Sequence, residues 1–206
     1  YYACENQSFQ DYSYSIFVAE VASQVNEILL CRYLLDNVTS NEEKMKIIDN
    51  LLQKYKSTIY RQTMFAEFEL FMHEYSENGG VLTSETLCDK YLELNKLYYG
   101  NDVIIDEDIK YEWERIPHFY KNFYVYQYAT GFMASVKIAN EIYNGNEEMR
   151  DNYLEFLKLG CTKDPVSSLK VAGVDVTKKE VMEDAISFMN ELLDKYRMYM
   201  GSEVNE

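Results

Sequence analysis

Residues 41–55 read Asn41-Glu-Glu-Lys-Met-Lys-Ile-Ile-Asp-Asn-Leu-Leu-Gln-Lys-Tyr55, and this stretch decides the fold class. Two glutamates directly follow Asn41, which is typical of the first turn of a helix. Apolar side chains then recur at helical spacing, and the pattern continues beyond Tyr55 as far as Met72. Asn78-Gly79-Gly80 ends the pattern. The stretch therefore predicts one long helix with an apolar face.

The remainder of the chain repeats this organisation of helices joined by short connections. Both prolines, Pro117 and Pro165, stand where a helix can begin. The further predicted helices cover about 15–36, 83 or 84 to 100, Pro117 towards Gly145, Asn146 to Gly160, a short run from Pro165, and 178 to about 200, before a frayed tail at 201–206. A capping box of Thr177 with Glu180 begins the last helix. No alternating strand pattern of useful length occurs, so the sequence predicts a single all-α domain over residues 1–206.

The charge and hydropathy of the chain narrow the classes of function. The formal net charge is −15, which argues against a nucleic-acid binder, because such a protein needs a basic face. No apolar run reaches membrane-spanning length, and no signal peptide opens the chain. We therefore expect no nucleic-acid partner and no membrane partner. The chain begins with Tyr1 rather than Met, which suggests a processed or excised portion of a longer protein.

Four cysteines lie far apart in the sequence, at positions 4, 31, 88 and 161. No Cys-x-x-Cys pair and no paired cysteine–histidine spacing occurs, so the pattern disfavours a zinc finger. Scattered cysteines in a chain of this length favour reduced thiols, and therefore a cytoplasmic location.

The first candidate site is Phe17-Val-Ala-Glu-Val-Ala-Ser-Gln-Val-Asn-Glu27, a mostly apolar, helix-compatible segment with two carboxylates. Glu20 and Glu27 are about two helical turns apart, so they share one helix face. A carboxylate in apolar surroundings is costly unless a metal, a base or hydrogen bonds compensate it. The residues alone allow two interpretations: a functional carboxylate, or the solvated edge of an amphipathic helix.

The second candidate site is Pro117-His-Phe-Tyr-Lys-Asn-Phe-Tyr-Val-Tyr-Gln-Tyr-Ala-Thr-Gly131. Tyr124 and Tyr128 are spaced i,i+4 in the predicted helix and project from one face, and Tyr120 extends that row by one turn. Together with His118, these phenols could donate hydrogen bonds to an oxyanion or to substrate carbonyls. The alternative is packing, because half-buried tyrosines with wet hydroxyls are common in a chain with 20 tyrosines.

Four blocks of sequence, in the same order along the chain, carry a resemblance to a known family. They are Phe17–Leu30, then Tyr60-Arg-Gln-Thr-Met-Phe-Ala-Glu-Phe-Glu69, then Pro117–Gly131, and last Phe156-Leu-Lys-Leu-Gly160 with Asp164-Pro165 and Ala172-Gly-Val-Asp175. Together they resemble the oligoendopeptidase F-like zinc metallopeptidases, which are relatives of thimet oligopeptidase. The resemblance covers nearly the whole chain, and the shared order of the blocks makes it specific.

The resemblance implies a zinc cofactor of which this chain holds only one ligand. In the family, two histidines of an H-E-x-x-H helix bind zinc, the first glutamate of that motif activates water, and a glutamate about two dozen residues further on is the third ligand. The resemblance places this third ligand at Glu20. The motif itself does not occur in residues 1–206, and Tyr1-Tyr2 resembles the continuation after the zinc helix. The chain is thus expected to be the helical C-terminal portion of a zincin-like catalytic domain that begins upstream.

The resemblance also assigns roles to the second candidate site. Family members bind the substrate backbone and stabilise the tetrahedral intermediate with a histidine and tyrosines opposite the zinc. His118, Tyr124 and Tyr128 match these positions. The interval from His118 to Tyr124 is one residue longer than in the thimet branch, so Tyr126 is kept as a substrate-binding alternative. Glu27 resembles an outer residue that orients the metal-binding histidines.

The function implied by the resemblance is zinc-dependent endopeptidase cleavage of short peptides. The partners implied are short peptide substrates and the N-terminal part of the same enzyme, and the chain is expected to be inactive alone. The alternative is a non-catalytic, all-helical interaction module derived from such a domain. An H-E-x-x-H motif just before Tyr1 favours the peptidase, and its absence favours the module.

Overall fold

The structure, a computed structural model, describes residues 1–203. Over this range the chain forms helices and no strand, so the predicted all-α class is confirmed. The α-helices are α1 (Tyr2–Asn6), α2 (Ile16–Ala19), α3 (Val21–Asn37), α4 (Asn41–Lys54), α5 (Arg61–Glu77), α6 (Ser84–Tyr99), α7 (Tyr126–Tyr143), α8 (Glu147–Phe156), α9 (Pro165–Val171) and α10 (Glu180–Glu203). Shorter helices of other types are the π-helical segment Tyr55–Tyr60 and the 3₁₀ helices Glu107–Arg115 and Pro117–Tyr120.

The long helix predicted from residue 41 is present, with one irregularity. Its first turn is capped by Ser40, whose Oγ accepts from the N–H of Glu43 at 3.4 Å. α4 passes directly into the π-helical segment at Tyr55 and then into α5, so the backbone stays helical as far as Glu77. The apolar periodicity thus predicted the helix correctly, but it did not indicate the local widening into a π-helix.

Two predicted helices of the first unit differ from the structure. The first predicted helix is divided at Glu20, which ends α2 and precedes α3. The predicted capping box does not form, because the Thr177 hydroxyl donates to Asp175 Oδ1 at 2.6 Å and α10 begins three residues later. The Asx-type turn at Asp175 therefore competes with the cap for the same hydroxyl.

Other helix ends agree with their sequence signals. Asn146 caps α8 by accepting from the N–H of Met149 at 2.9 Å. Asp164 caps α9 in the same way, accepting from the N–H of Ser167 at 2.9 Å. At the other end of the chain α10 continues through Glu203. The predicted frayed tail at 201–206 is therefore wrong for residues 201–203, which are helical, and its remaining residues, 204–206, lie outside the described residues.

The helices form two compact units, residues 1–55 with 130–203 and residues 56–129. In the first unit α10 packs along α4, α4 packs on α3, and α2 packs on α9. The core of this unit is apolar, with Val25, Ile28, Ile48, Ile138 and Leu169 all fully buried. Burial of such side chains stabilises by about 1.5–3 kcal/mol each, which accounts for helix formation better than helix propensity alone.

The second unit has an aromatic core built from α5, α6 and the 3₁₀ helices. Its buried members are Met64, Phe65, Phe68, Leu87, Tyr91, Leu94, Ile116 and Val125. Phe119 packs against two of them, with ring centroids 5.3 Å from both Phe65 and Phe68. This core extends to both flanks of the second candidate site, because Ile116 precedes His118 and Val125 follows Tyr124.

A buried carboxylate network links the elements of the second unit. Glu112 accepts from Arg61 Nη2 at 2.7 Å and from the Tyr91 hydroxyl at 2.8 Å, and Arg115 also contacts it. Burial raises the pKa of such a carboxyl, but the hydrogen bonds from Arg61 and Tyr91 outweigh it and hold the pKa of Glu112 below its ordinary value. Arg61 is therefore a structural residue that pairs with a buried carboxylate.

The cysteines at positions 4, 31, 88 and 161 are all free thiols. A helix that crosses a bilayer needs about 20 predominantly apolar residues. None of the helices within residues 1–203 combines the length and the apolarity for such a crossing.

Candidate active site

Glu20 lies at the junction of α2 and α3, with its carboxylate exposed. The apolar residues around it turn the other way, and Val18, Val21 and Val25 are buried. The expectation of an apolar environment for this carboxylate was therefore wrong, because the carboxylate faces outward. The physical reason is the amphipathic pattern itself, since the valines fill the core side and leave position 20 on the outer side.

The position of Glu20 is held by local hydrogen bonds. Ser23 Oγ lies 2.9 Å from the Glu20 carbonyl oxygen and 3.1 Å from Glu20 Oε2, so its single proton can be donated to either. The Glu20 carbonyl also accepts from the N–H of Gln24 at 3.0 Å, as the first hydrogen bond of α3. These contacts fix the backbone and leave the carboxylate accessible to a ligand.

Helix α7 supports this junction through small residues. The sequence Gly131, Ala134 and Ser135 thins the helix, and all three residues are buried. Ser135 Oγ lies 3.2 Å from the carbonyl oxygen of Val21 and 3.2 Å from Gln24 Oε1. A side chain larger than serine here would separate α7 from α3 and displace the start of the helix that follows Glu20.

Glu27, the predicted outer residue, is exposed on α3 and forms an ion pair with Lys54 of α4. About half of each side chain is exposed, 42% for Lys54 and 49% for Glu27. An ion pair with this exposure contributes about 0–1 kcal/mol to stability. The pair therefore orients the Glu27 carboxylate more than it stabilises the fold.

The backbone of the second candidate site is not the continuous helix that the sequence predicted. Pro117 does not open a long helix: a 3₁₀ helix covers Pro117–Tyr120, the chain then leaves helical geometry, and α7 begins only at Tyr126. Tyr124 therefore precedes the helix instead of lying on it. Tyr120 does not extend the row, because its side chain is 77% exposed.

The break before α7 is caused by Phe123, which has a left-handed backbone with φ +55°. This conformation costs an L-residue about 1–2 kcal/mol, so other contacts must compensate it. The Phe123 N–H donates to Glu69 Oε1 at 2.7 Å, and the Phe123 carbonyl accepts from Gln127 Nε2 at 2.9 Å. The Phe123 ring stacks on His73, with centroids 4.7 Å apart.

The non-helical turn brings together three of the predicted residues, His118, Tyr124 and Tyr128. The Tyr128 hydroxyl lies 3.3 Å from His118 Nε2 and 3.2 Å from the Tyr124 hydroxyl. The His118 and Tyr124 rings are stacked at 5.4 Å, and Tyr128 meets both rings edge-on. All three side chains are half-buried, so they are restrained and still reachable. We call this group the phenol cluster.

The hydrogen bonds of the phenol cluster have a direction. If the Tyr128 hydroxyl donates its one proton to Tyr124, its oxygen can only accept from His118, and His118 must then carry a proton on Nε2. With His118 in this tautomer, the row runs from His118 through Tyr128 to Tyr124, and the Tyr124 hydroxyl is its terminal donor. Such a row can present an O–H to an oxygen that gains negative charge.

Tyr126, the alternative substrate-binding residue, is the first residue of α7 and is 40% exposed. Glu69, Phe123 and Gln127 were not predicted as functional residues. Glu69 had a signal in the sequence, because Phe65, Phe68, Glu69 and Met72 follow the i, i+3, i+4, i+7 pattern of a buried helix face. A carboxylate on such a face requires a buried partner.

The described residues hold a single candidate ligand for zinc. Within residues 1–203, no group of three or more His, Cys, Asp and Glu side chains is arranged to hold a metal ion. Glu20 fits the role of one zinc ligand, because its carboxylate is an exposed oxygen donor next to a rigid helix start. A complete site therefore needs further ligands that residues 1–203 do not supply.

The comparison with protein families identifies the class. The model of peptidase family M3 matches residues 1–188, so the chain belongs to peptidase family M3.

Individual relatives agree with this class. The chain is 45% identical over 195 residues to the oligopeptidase PepF of Bacillus subtilis, a match that covers 95% of this chain and 29% of PepF. It is 45% identical over 189 residues to the group B oligopeptidase PepB of Streptococcus agalactiae, covering 92% of this chain and 31% of PepB. The chain thus spans about a third of the length of the curated relatives it matches.

Solved structures show the same fold. The oligoendopeptidase-F of Enterococcus faecium matches with a TM-score of 0.88 and 44% identity, over 92% of this chain and 36% of that chain. A putative peptidase of Chlamydophila abortus matches with a TM-score of 0.88 and 39% identity, over 97% of this chain and 33% of that chain. The helical arrangement is therefore that of one portion of larger peptidase folds.

Proposed function

We propose that the protein containing this chain is a zinc-dependent endopeptidase that cleaves short peptides, and that the chain is the C-terminal part of its catalytic domain. The observation that supports this most is the phenol cluster, in which the Tyr128 hydroxyl lies within hydrogen-bond distance of both His118 and Tyr124 in a member of peptidase family M3. Tyrosines that serve only packing do not require an accessible hydroxyl at the end of a hydrogen-bonded row. The four free thiols suit a cytoplasmic location, where thiols stay reduced.

In this proposal Glu20 is the one zinc ligand of the chain. Bound zinc supplies Lewis acidity towards the scissile carbonyl and towards water. Glu20 contributes a negative oxygen donor at a position fixed by Ser23 and by the start of α3. Glu27, oriented by Lys54, acts as an acceptor for ligand histidines outside this chain.

The phenol cluster acts on the substrate. The Tyr124 hydroxyl donates to the peptide oxygen, and this hydrogen bond strengthens as the oxygen gains negative charge in the transition state. Tyr128 accepts from His118 and donates to Tyr124, which polarises the terminal donor. Tyr126, exposed at the start of α7, is the second position from which a phenol can contact the peptide backbone.

The proposal is tested on the full-length protein with a short, internally quenched peptide. We expect cleavage that disappears on dialysis against a chelator and returns with stoichiometric zinc. Residues 1–206 alone should neither cleave the peptide nor bind zinc tightly, since three-ligand sites need all their ligands. If the full-length protein cleaves no peptide and binds a protein partner without zinc, the result favours the non-catalytic interaction module instead.

A further inference from the structure

We propose that Glu69 is a positioning residue for the phenol cluster: its buried carboxylate holds the left-handed backbone of Phe123 and thereby sets the direction of the Tyr124 phenol. The importance of this role for catalysis rests on the proposed function of the cluster. The restraint itself is a property of the second unit and can be measured separately.

The position of Glu69 requires an explanation. Its side chain is only 3% exposed on the core face of α5, where a leucine or methionine would cost less. The polar contact it makes there is the hydrogen bond from the Phe123 N–H at 2.7 Å. A buried carboxylate that accepts from a backbone N–H forms a strong, charge-assisted hydrogen bond. The carboxylate is thus directed at the backbone next to Tyr124.

Phe123 needs such an anchor. Its side chain is 52% exposed, so core packing does not hold the residue in its left-handed conformation. Three contacts hold it instead: Glu69 at its N–H, Gln127 at its carbonyl oxygen, and His73 at its ring. Glu69 provides the one buried contact of the three, whereas Gln127 and the Phe123 ring are accessible to water.

The direction of the next side chain follows from this anchor. With Phe123 left-handed, the chain leaves the 3₁₀ helix, reverses, and enters α7 at Tyr126. Val125 is then fully buried, and Tyr124 points to the side on which His118 and Tyr128 lie. A right-handed residue at 123 would rotate the Tyr124 side chain away from these two partners.

The experiment uses the full-length protein and compares Glu69→Leu with Glu69→Gln. Leucine removes the acceptor and keeps the volume, whereas glutamine keeps an oxygen that can accept from the Phe123 N–H. We expect Glu69→Leu to lower kcat about 10- to 100-fold, as displaced catalytic groups do, with KM within about threefold. Glu69→Gln should retain most of the turnover. Glu67→Leu is the matched control, because Glu67 lies on the same helix and its carboxylate accepts from the Tyr98 hydroxyl instead of from the backbone of Phe123.

Hydrogen exchange supplies a readout that does not depend on activity. In a peptic fragment that contains residues 121–125, Glu69→Leu should expose one further amide to exchange, while Glu69→Gln and Glu67→Leu should not. Should Glu69→Leu fail to fold, Phe123→Val and Phe123→Gly replace it, since position 123 is largely exposed. Valine disfavours the left-handed conformation and should lower kcat, whereas glycine adopts it readily and should not.

The outcomes separate the two proposals when Tyr124→Phe is measured alongside. Loss of kcat in Tyr124→Phe, Glu69→Leu and Phe123→Val, with recovery in the glutamine and glycine variants, supports the role of Glu69. Unchanged kcat in both Tyr124→Phe and Tyr128→Phe, with an exposed amide in Glu69→Leu, refutes the function of the cluster and supports the restraint. Loss of kcat in Tyr124→Phe with normal turnover in Glu69→Leu overturns the positioning role.

Discussion

Glu20 and the phenol cluster differ in how firmly the fold holds their side chains. Glu20 is an exposed carboxylate whose only side-chain contact described above is with Ser23, three residues away. His118, Tyr124 and Tyr128 contact one another, and their backbone is anchored by buried residues on both flanks. One candidate site is therefore a single accessible donor, and the other is a prearranged group.

The difference follows from what each group has to do. A metal ligand is brought into its final geometry by the metal and the other ligands, so an accessible donor on a rigid helix start is sufficient. A hydrogen-bond donor for a transition state must already point the right way, because reorientation during the reaction would cost part of the benefit. The phenol cluster, which has to donate to a transition state, stands beside the unfavourable backbone of Phe123. Glu20, which has to bind a metal, stands between regular helices.

The largest expected effect is that of Glu20→Gln in the full-length protein. Glutamine keeps the shape and removes the charge that helps to hold zinc, so zinc content and peptide cleavage should both fall to the background of the chelated protein. Because Glu20 is exposed, thermal stability without zinc should change by about 0.5 kcal/mol or less. Metal analysis, kinetics and thermal unfolding check this prediction. The control is Glu42→Gln, another exposed carboxylate paired only with Lys46; full zinc content in Glu20→Gln would show that the ligand assignment is wrong.

The next effect concerns the phenol cluster. Removal of a hydroxyl that donates in the transition state lowers turnover about 10²–10³-fold, with a smaller change in KM. We expect this pattern for at least one of Tyr124→Phe and Tyr128→Phe, and for His118→Ala, at unchanged zinc content. Steady-state kinetics on the quenched peptide measures it.

Tyr120→Phe is the matched control for this series, because Tyr120 lies on the adjacent 3₁₀ helix and is 77% exposed. It should keep normal turnover. Variants of the cluster that lose thermal stability but keep turnover would mean that these tyrosines serve packing, and the contrast with Glu20 would then disappear.

A smaller effect is expected for Glu27→Gln. Loss of an outer partner of a zinc site typically costs about 10–100-fold in metal affinity or activity, whereas loss of an exposed ion pair costs little stability. Zinc affinity, measured by competition with a chelator, should therefore weaken while the unfolding temperature barely changes. Lys54→Met removes the same ion pair from its other end. Equal zinc affinities in the unmodified protein, Glu27→Gln and Lys54→Met would show that Glu27 serves only the ion pair.

The smallest expected effect is a change in folding stability at acidic pH. It comes from Glu112 in the second unit, the unit that contains the phenol cluster. The pKa of Glu112 is lowered in the folded state, so its contribution to stability is complete above the ordinary carboxyl pKa of about 4.3 and is lost as the pH falls through the lower folded pKa. In that window the folded chain binds fewer protons than the unfolded chain, and stability rises with pH by at most about 1.4 kcal/mol per pH unit.

Urea unfolding at a series of acidic pH values measures this slope. Trp113 is the only tryptophan of the chain and lies next to Glu112 in the second unit, so its fluorescence reports on that unit. Glu112→Gln should flatten the slope, and the exposed neighbour Glu114→Gln should leave it unchanged. Identical slopes in parent and Glu112→Gln would show that the network does not keep this carboxyl ionised.

The sequence alone determined the fold class and most helix boundaries. Periodic apolar residues predicted the helix from residue 41, and caps such as Asn146 predicted where α8 begins. These features are local, because helical hydrogen bonds and caps join residues only a few positions apart. The resemblance of four ordered blocks also identified the family correctly, and it named the residues of the phenol cluster before any geometry was available.

The tertiary structure decided how those residues are held. No local signal indicates that Phe123 is left-handed or that Tyr124 precedes α7, because the Phe123 N–H is bound by Glu69, 54 residues away in the sequence. The exposure of Glu20 was likewise open until the valines around it were seen to face the core. Local pattern fixes which residues are helical, whereas contacts between distant segments fix where a side chain points, and it is the second that determines what a site can bind.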